Sequence, residues 1–449
     1  MSRALITDLY QITMLAAYYD KGMHEERSTF ELFVRKLPEN RNYLIAAGLE
    51  QAVEYLTDLH FEKEDIEYLK GLDQFKHVKP EFWNYLANFR FTGNLRAVPE
   101  GTYIFPEEPI LSIEGPTAEV QLVETYLLSV INFQTMIATK ASRIVQAARG
   151  KPVIDFGTRR AHGPEAGVYA ARAAYIGGCA GTSNVEAGRL FNIPVSGTMA
   201  HSWVMKHSDE AQAFQDYAKV FPDHTIALID TYDVEQGARN ALSLEDKLKG
   251  VRIDSGDLLE NSKLVRKILD EAGLKNTKIF VSGDLNEYKI YELMRNSAPI
   301  DGFGVGTELV TSKDAPTLGG VYKLVADESG PKMKTSEGKR TLPGEKQVYR
   351  VYKDIHISLL EPRYDIISLN DEPIDVPELH AMPLLEEIMK DGRLIKPRPS
   401  INYSRKLREK QRSELLLFTG AGLSYPVRYS SGLKNLLDKL NHKPEEVPK

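Results

Sequence analysis

Between Lys151 and Met205 the chain reads KPVIDFGTRRAHGPEAGVYAARAAYIGGCAGTSNVEAGRLFNIPVSGTMAHSWVM, and its polar residues fall where chemistry can be done. Arg159 and Arg160 follow an apolar run directly. Guanidinium forks there suit phosphate or carboxylate oxygens, each fork offering two parallel hydrogen bonds. The plainer alternative is one arginine in a structural ion pair and one in solvent. His201 stands three residues after Thr198 and beside Ser202; a neutral imidazole can act as acid, base or nucleophile, although a lone histidine is often structural. No second histidine lies at metal-ligand spacing, which argues against zinc. Further on, Asp254 and Asp257 flank Ser255-Gly256. Carboxylates at such a place can hold Mg²⁺ through water or bind ribose hydroxyls, and Asp257 is the better placed to cap a helix starting at Leu258. The run Gly302-Phe303-Gly304-Val305-Gly306-Thr307 is GxGxG and not GxGxxG, so it is no dinucleotide fingerprint, and no GxxxxGK[ST] occurs anywhere. Glycines after a strand still let backbone N–H groups approach a phosphate, with Thr307 adding a hydroxyl. A tight β/α turn without a ligand is the alternative. Paired arginines, hydroxyls, carboxylates and one histidine together point to a phosphorylated substrate.

These residues need a scaffold that presents them together. Apolar runs at Val153–Phe156, Ile176–Cys179, Ile193–Val195, Thr225–Asp230, Gly250–Ile253, Lys278–Val281 and Gly302–Val305 each end in small and polar residues. Amphipathic stretches at Glu235–Lys249, Leu258–Ala272 and Glu287–Asn296 separate the later ones. Strand, polar turn, helix, strand is the rhythm of parallel β/α units, which place reactive residues past the strand C-termini. The expectation is an α/β barrel or barrel-like sheet, with an open doubly wound sheet as the alternative. Ahead of it, an entry segment plus a helix within Ser2–Gly22, with Thr7 or Asp8 as cap and Leu9, Met14, Leu15 and Tyr18 on its apolar face, a strand at Ser28–Val34, helices at Leu44–Leu56 and Phe61–Leu69 and β-rich pieces over Phe91–Ile113 read as a mixed α+β unit. A long helix over Thr117–Ala148, broken near Asn132, leads into the repeat. After Leu318 come strand-like GGVYKLV, a basic exposed segment over Lys332–Lys346, strands at Gln347–Lys353 and His356–Leu360, a basic helix over Tyr403–Glu414, and a short helix with a charged tail from Leu433.

At 449 residues the chain exceeds one typical domain, and 42% hydrophobic with 27% charged residues is ordinary for a globular enzyme. A net charge of −6 argues against a primary nucleic-acid binder, and the basic stretches lack the interleaved aromatics that stack bases. The single cysteine, Cys179, excludes an intramolecular disulfide and a cysteine-rich zinc site; within an apolar run it reads as a packed small side chain. No uncharged run reaches the roughly 18 residues that span a bilayer, and the first segment lacks the layout of a signal peptide. No membrane partner and a cytoplasmic location are the expectations.

Several separated motifs resemble the nicotinate phosphoribosyltransferases. They are TDLYQITM at Thr7–Met14, FVRKLP at Phe33–Pro38, NFQTMIATKASR at Asn132–Arg143, DFGTRRAHGPEA at Asp155–Ala166, GTSNVEAG at Gly181–Gly188 and GTMAHS at Gly197–Ser202, followed by RIDSGDL, GFGVGTEL and KRTLPGEKQVYR. The resemblance implies an α/β fold of the quinolinate-phosphoribosyltransferase type. An irregular β/α barrel over 131–330 would stand beside an α/β sandwich domain of 1–130, with 331–449 supplying a loop, strands and helices that complete the sandwich. It implies conversion of nicotinate and phosphoribosyl pyrophosphate to nicotinate mononucleotide and pyrophosphate in NAD salvage, coupled to ATP hydrolysis through a phosphohistidine, with Mg²⁺, in a homodimer whose active site lies at the interface. By motif position His201 would be the phosphohistidine, acting with Asp254 and Arg252. Thr198 and Arg252 would contact nicotinate, Phe156 would stack on its ring, and Tyr10 would stack on the other face from the partner subunit. Arg159, Asp254, Gly306 and Thr307 would hold the phosphoribosyl group and its phosphates. A nicotinamide-using relative should carry an acidic residue where this chain has Ser183 and Asn184. A quinolinate enzyme would need cations for a second carboxylate. A non-enzymatic relative would keep the motifs without turnover. An orotate-type enzyme would show an apolar strand ending in paired acids, which is absent.

Overall fold

Six short strands set the geometry on which the polar clusters depend. They are Val153–Asp155, Gly181–Thr182, Ile226–Leu228, Gly250–Ile253, Lys278–Val281 and Gly302–Val305. In a computed structural model, which describes residues 3–336, 339–356, 359–377, 379–420 and 423–441, they form one all-parallel sheet. Across the sheet the order is Gly181–Thr182, Val153–Asp155, Gly302–Val305, Lys278–Val281, Gly250–Ile253, Ile226–Leu228. An isolated parallel bridge from Thr182 to Val195 extends one edge. Val153, Val251, Ile253, Ile279, Val281, Phe303 and Val305 are all buried, as expected of parallel strands covered on both faces. Because every strand runs the same way, their C-termini share one end, which carries DFGTRR, RIDSGD, VSGD and GFGVGT. Helices Leu258–Glu271 and Glu287–Arg295 start where Asp257 and Asn286 accept hydrogen bonds from the first-turn N–H groups.

These strands belong to one of two compact units, Met136–Pro316; the other is Met1–Thr135 with Thr317–Lys449. Sequence reading put these crossings at 130/131 and 330/331. The return falls at 316/317 because Gly320–Asp327 pairs antiparallel with Arg27–Val34. In the second unit a seven-stranded sheet contains Arg27–Val34, Pro109–Pro116, Asn94–Ala97, Gly320–Asp327 and, from far along the chain, Glu386–Lys390. A four-stranded sheet is built on the long hairpin Lys346–His356 with Leu359–Leu369. At its centre the fully buried Arg350 guanidinium donates to Asp365 at 2.7 and 3.0 Å, to Gln411 Oε1 at 3.0 Å and to the Tyr103 carbonyl at 2.8 Å. No helix among the described residues is long and apolar enough to cross a membrane.

Several expected elements differ. Ile176–Cys179 is not a strand. Helix Pro164–Ile176, rich in alanine, runs to Ile176 and is capped by Gly177, where no side chain fits: a Cβ there would lie 2.4 Å from the Ala138 carbonyl oxygen. Strand pairing begins only at Gly181. Ile193–Val195 contributes the single bridge at Val195. The expected helix Glu235–Lys249 stops at Ala241 and continues as a 3₁₀ segment, Leu242–Lys247, with Glu245 at φ 50°. The long helix breaks at Val123, between Thr117–Leu122 and Glu124–Ala147, and runs unbroken through Asn132. Leu44–Ile45 pairs with Tyr103–Ile104 as a strand, so that helix starts later, at Leu49. In the first helix Leu9 is exposed, and Gln11, Ile12 and Leu15 are the buried residues. Lys346, expected in an exposed basic segment, is buried and paired with buried Glu31 at 2.8 Å. Residues 337 and 338 of that segment, 357 and 358 within the His356–Leu360 region, and the charged tail 442–449 lie outside the described residues.

Candidate active site

At the end of strand Val153–Asp155 the buried Asp155 carboxylate accepts the Gly157 N–H at 2.8 Å and the Thr182 hydroxyl at 2.7 Å. Burial pushes its pKa up, against the pull of those two hydrogen bonds. Thr182 Oγ1 in turn accepts the Asn184 N–H at 3.0 Å, and Asn184 Nδ2 donates to Thr158 Oγ1 at 3.1 Å. Asn184 Oδ1 accepts from Ala187 N at 2.8 Å, starting helix Val185–Phe191. Buried polar atoms bonded one to the next hold the turn through Phe156, Gly157 and Thr158 in one conformation. The Phe156 ring lies across the neighbouring strand: a Cβ on Gly304 would come within 2.4 Å of it. The middle glycine of GFGVG therefore makes room for an aromatic ring, a role that the phosphate reading of that run did not contain.

Arg252, at the end of Gly250–Ile253, places its guanidinium carbon 5.9 Å from the Phe156 ring centroid. Burial draws its pKa below the ordinary value, with Arg159 adding to the fall and Asp254 and Asp230 opposing it; an arginine keeps its charge regardless. Its buried Nε has no hydrogen-bond partner among the described residues, and neither does Asp230 Oδ1. The other Asp230 oxygen accepts from Asp254 N at 2.9 Å and Ser255 Oγ at 2.6 Å. Ser282 donates to Asp254 Oδ1. The second Asp254 oxygen lies 3.9 Å from His201 Nε2, while His201 Nδ1 is 3.1 Å from Thr231 Oγ1. A cavity of about 760 Å³ opens beside Asp254, lined by Ser255, Leu259, Gly283, Asp284 and Tyr288 among others.

The strand ends thus bring Phe156, Arg252, Asp254 and His201 into one neighbourhood, with Arg159 close enough to act on the charge of Arg252. Gly306 adjoins Phe156: a Cβ there would lie 3.4 Å from the Phe156 carbonyl oxygen. It precedes the short helix Thr307–Val310, whose Leu309 and Val310 N–H groups bond back to its carbonyl at 3.1 Å. Thr198 is half-buried, its hydroxyl turned to the Met199 carbonyl at 3.1 Å. Tyr10 belongs to the other unit, where it is about half exposed and its hydroxyl donates to Glu124 at 3.3 Å. Asp257 spends one oxygen on Leu259 N and Glu260 N, as a helix cap. Sequence reading missed Asp230, Asp155 and Ser282. Each is a polar residue at or just past the C-terminus of a recognised strand, and that position was the available signal.

Residues 5–132 match the nicotinate phosphoribosyltransferase (NAPRTase) N-terminal domain, and residues 152–347 match the NAPRTase family. The chain is 43% identical over 450 residues to nicotinate phosphoribosyltransferase pncB2 of Mycobacterium tuberculosis, covering 98% of this chain and 94% of that one. It is 45% identical over 387 residues to the nicotinate phosphoribosyltransferase of Bacillus subtilis, covering 83% and 78%. Among solved structures it resembles human nicotinic acid phosphoribosyltransferase with a TM-score of 0.84 at 29% identity, covering 97% of this chain and 99% of that one.

Proposed function

The chain belongs to the nicotinate phosphoribosyltransferase family, and from that premise we propose that it joins nicotinate to the phosphoribosyl group of phosphoribosyl pyrophosphate, releasing pyrophosphate. The observation that carries this reading is Arg252: a half-buried cation beside an aromatic ring, with Nε unpartnered among the described residues. A flat ring bearing one carboxylate fits such a pair, stacking on Phe156 while the carboxylate meets the guanidinium. Thr198 completes the nicotinate contacts, and Tyr10 of a second subunit closes the other face in a homodimer. The absence of an acid at Ser183 and Asn184 favours a carboxylate over an amide.

The pyridine nitrogen attacks the anomeric carbon as the bond to the pyrophosphate oxygen breaks, through a cation-like sugar. The nucleophile is already in the substrate. The protein therefore orients, holds phosphates and balances charge, which calls for Arg159, Gly306, Thr307 and Asp254 in place of a nucleophilic triad. Asp254 and Asp230 are hard oxygen donors, and the orphaned Asp230 Oδ1 suits a Mg²⁺ ion that keeps most of its waters. When bound, that ion neutralises pyrophosphate charge.

His201 serves the ATP step. Thr231 holds one ring nitrogen and the other faces Asp254, so the imidazole is oriented to accept the γ-phosphoryl group from ATP, releasing ADP. Water later takes the group as phosphate. While phosphorylated, His201 adds negative charge beside the Asp254 carboxylate and reorganises the phosphate site. The test is product formation with Mg²⁺, with and without ATP, for wild type and His201→Ala. The variant should keep the basal rate and lose the stimulation by ATP. A variant that ATP still stimulates removes His201 from the coupling, and a wild type that uses nicotinamide but not nicotinate removes the substrate assignment.

A further inference from the structure

Lys140, in the long helix Glu124–Ala147, is fully buried and reaches three carboxylates: Glu287 at 2.5 Å, Asp314 at 2.8 Å and Glu308 at 3.7 Å. Arg143, one turn on, donates to Glu287 at 3.0 Å, and Lys313 pairs with Glu308 at 3.2 Å. Three cations thus face three anions. An ion pair as buried as Lys140 with Glu287 is a costly way to gain stability, since apolar side chains of similar volume serve as well, but it fixes the elements that supply its members. Glu308 follows Thr307 directly, and Glu287 stands three residues after Asp284, so the anions come from the two strand-to-helix segments on which Gly306, Thr307, Gly283 and Asp284 lie.

Both segments carry backbone at positive φ. Gly283 has φ +91° and its Cβ position would meet the Asp254 carbonyl oxygen at 2.1 Å; Asp284 and Ser312 both have φ 43°. Such conformations persist only where surrounding contacts over-determine them. We infer that Lys140 is a positioning residue that pins the 283–287 and 306–314 segments in the shape that receives the phosphoribosyl pyrophosphate phosphates, and that it acts on that substrate and not on nicotinate. The inference rests on the reaction proposed above.

Lys140→Met keeps the length and apolar stem and removes the charge. Expected is a rise of about tenfold or more in the KM for phosphoribosyl pyrophosphate, since small misplacements of positioning groups have large effects, with the KM for nicotinate nearly unmoved. Pyrophosphate should raise the Tm of wild type and raise that of the variant far less. Leu269→Ala, a core truncation near the C-terminal end of helix Leu258–Glu271, supplies a destabilised control and should leave both KM values in place. Should Lys140→Met fail to fold, Glu308→Gln tests the same shift in milder form. Both KM values unmoved, both rising in step, or the same pattern in Leu269→Ala overturns the inference. A wild type that makes no product overturns the functional reading and this inference with it; an active wild type beside a variant with unmoved KM values overturns this inference alone.

Discussion

Arg350 and Arg252 each bring a guanidinium into the interior, one in each unit, and they are treated in opposite ways. Every nitrogen of Arg350 donates, to Asp365, Gln411 and the Tyr103 carbonyl, and the Phe105 and Tyr425 rings lie 5.7 and 5.6 Å from its guanidinium carbon. Tyr425 also donates to Asp365 at 2.9 Å. Arg252 has a ring beside it and carboxylates nearby, yet among the described residues its buried Nε is unpartnered, as is Asp230 Oδ1. A buried polar atom left without a partner costs roughly 1–3 kcal/mol. A fold that satisfies Arg350 so fully shows that the chain is able to complete such a cluster. On the function proposed above, substrate and ion would complete the Arg252 cluster, whereas the hydrogen bonds of Arg350 come from within the chain.

The strongest way to break this contrast is to remove each arginine and ask what is lost. Arg350→Ala leaves Asp365 buried without its cation and should lower stability by about 3–5 kcal/mol, read by denaturant unfolding, with kcat/KM per folded molecule held. Arg252→Ala should do the reverse. A loss of about a hundredfold in kcat/KM, on the order of 2.7 kcal/mol of transition-state stabilisation, is expected with an unchanged or slightly raised Tm. If Arg252→Ala unfolds like Arg350→Ala and keeps its activity, the two clusters do not differ in kind.

A smaller effect sharpens the structural side. Glu108, buried beside Asp365, is pushed well above the usual carboxylate range by burial first and by Asp365 next, against the pull of Arg350 and the Phe105 N–H. A group whose folded pKa is raised contributes stability that is whole below its unfolded pKa and is lost as pH climbs to the folded one. Unfolding free energy should fall across that window by up to about 1.4 kcal/mol per pH unit. Glu108→Gln should flatten the slope, so that the variant gains on wild type as pH rises. Parallel profiles for the two proteins would place the slope elsewhere.

Much of the scaffold was legible before any coordinates. Gly250–Ile253, Lys278–Val281 and Gly302–Val305 were read to the residue, because short apolar runs closed by glycine and polar residues are the signature of buried parallel strands. Ile176–Cys179 misled for the same reason: a short run of Ile-Gly-Gly-Cys fits a strand or the end of a buried helix, and period cannot separate them. Lys346 misled because a lysine in a basic run reads as solvated, and its partner Glu31 is far away in sequence.

By itself the sequence determined the family, through motifs spread along the chain, and the rhythm that sends DFGTRR, RIDSGD, VSGD and GFGVGT to the same end of a parallel sheet. Only the tertiary structure decided which members of those motifs meet, because hydrogen bonding and burial join residues that sequence order holds apart. It gave Asp230 to Asp254 and Ser255, faced His201 with Thr231 and Asp254, and cleared Gly304 for the Phe156 ring. It also gathered Lys140, Glu287, Glu308 and Asp314 around one buried charge. A charge in the interior is tolerable only when its counterions arrive with it, and two separate stretches of chain deliver these only once it has folded.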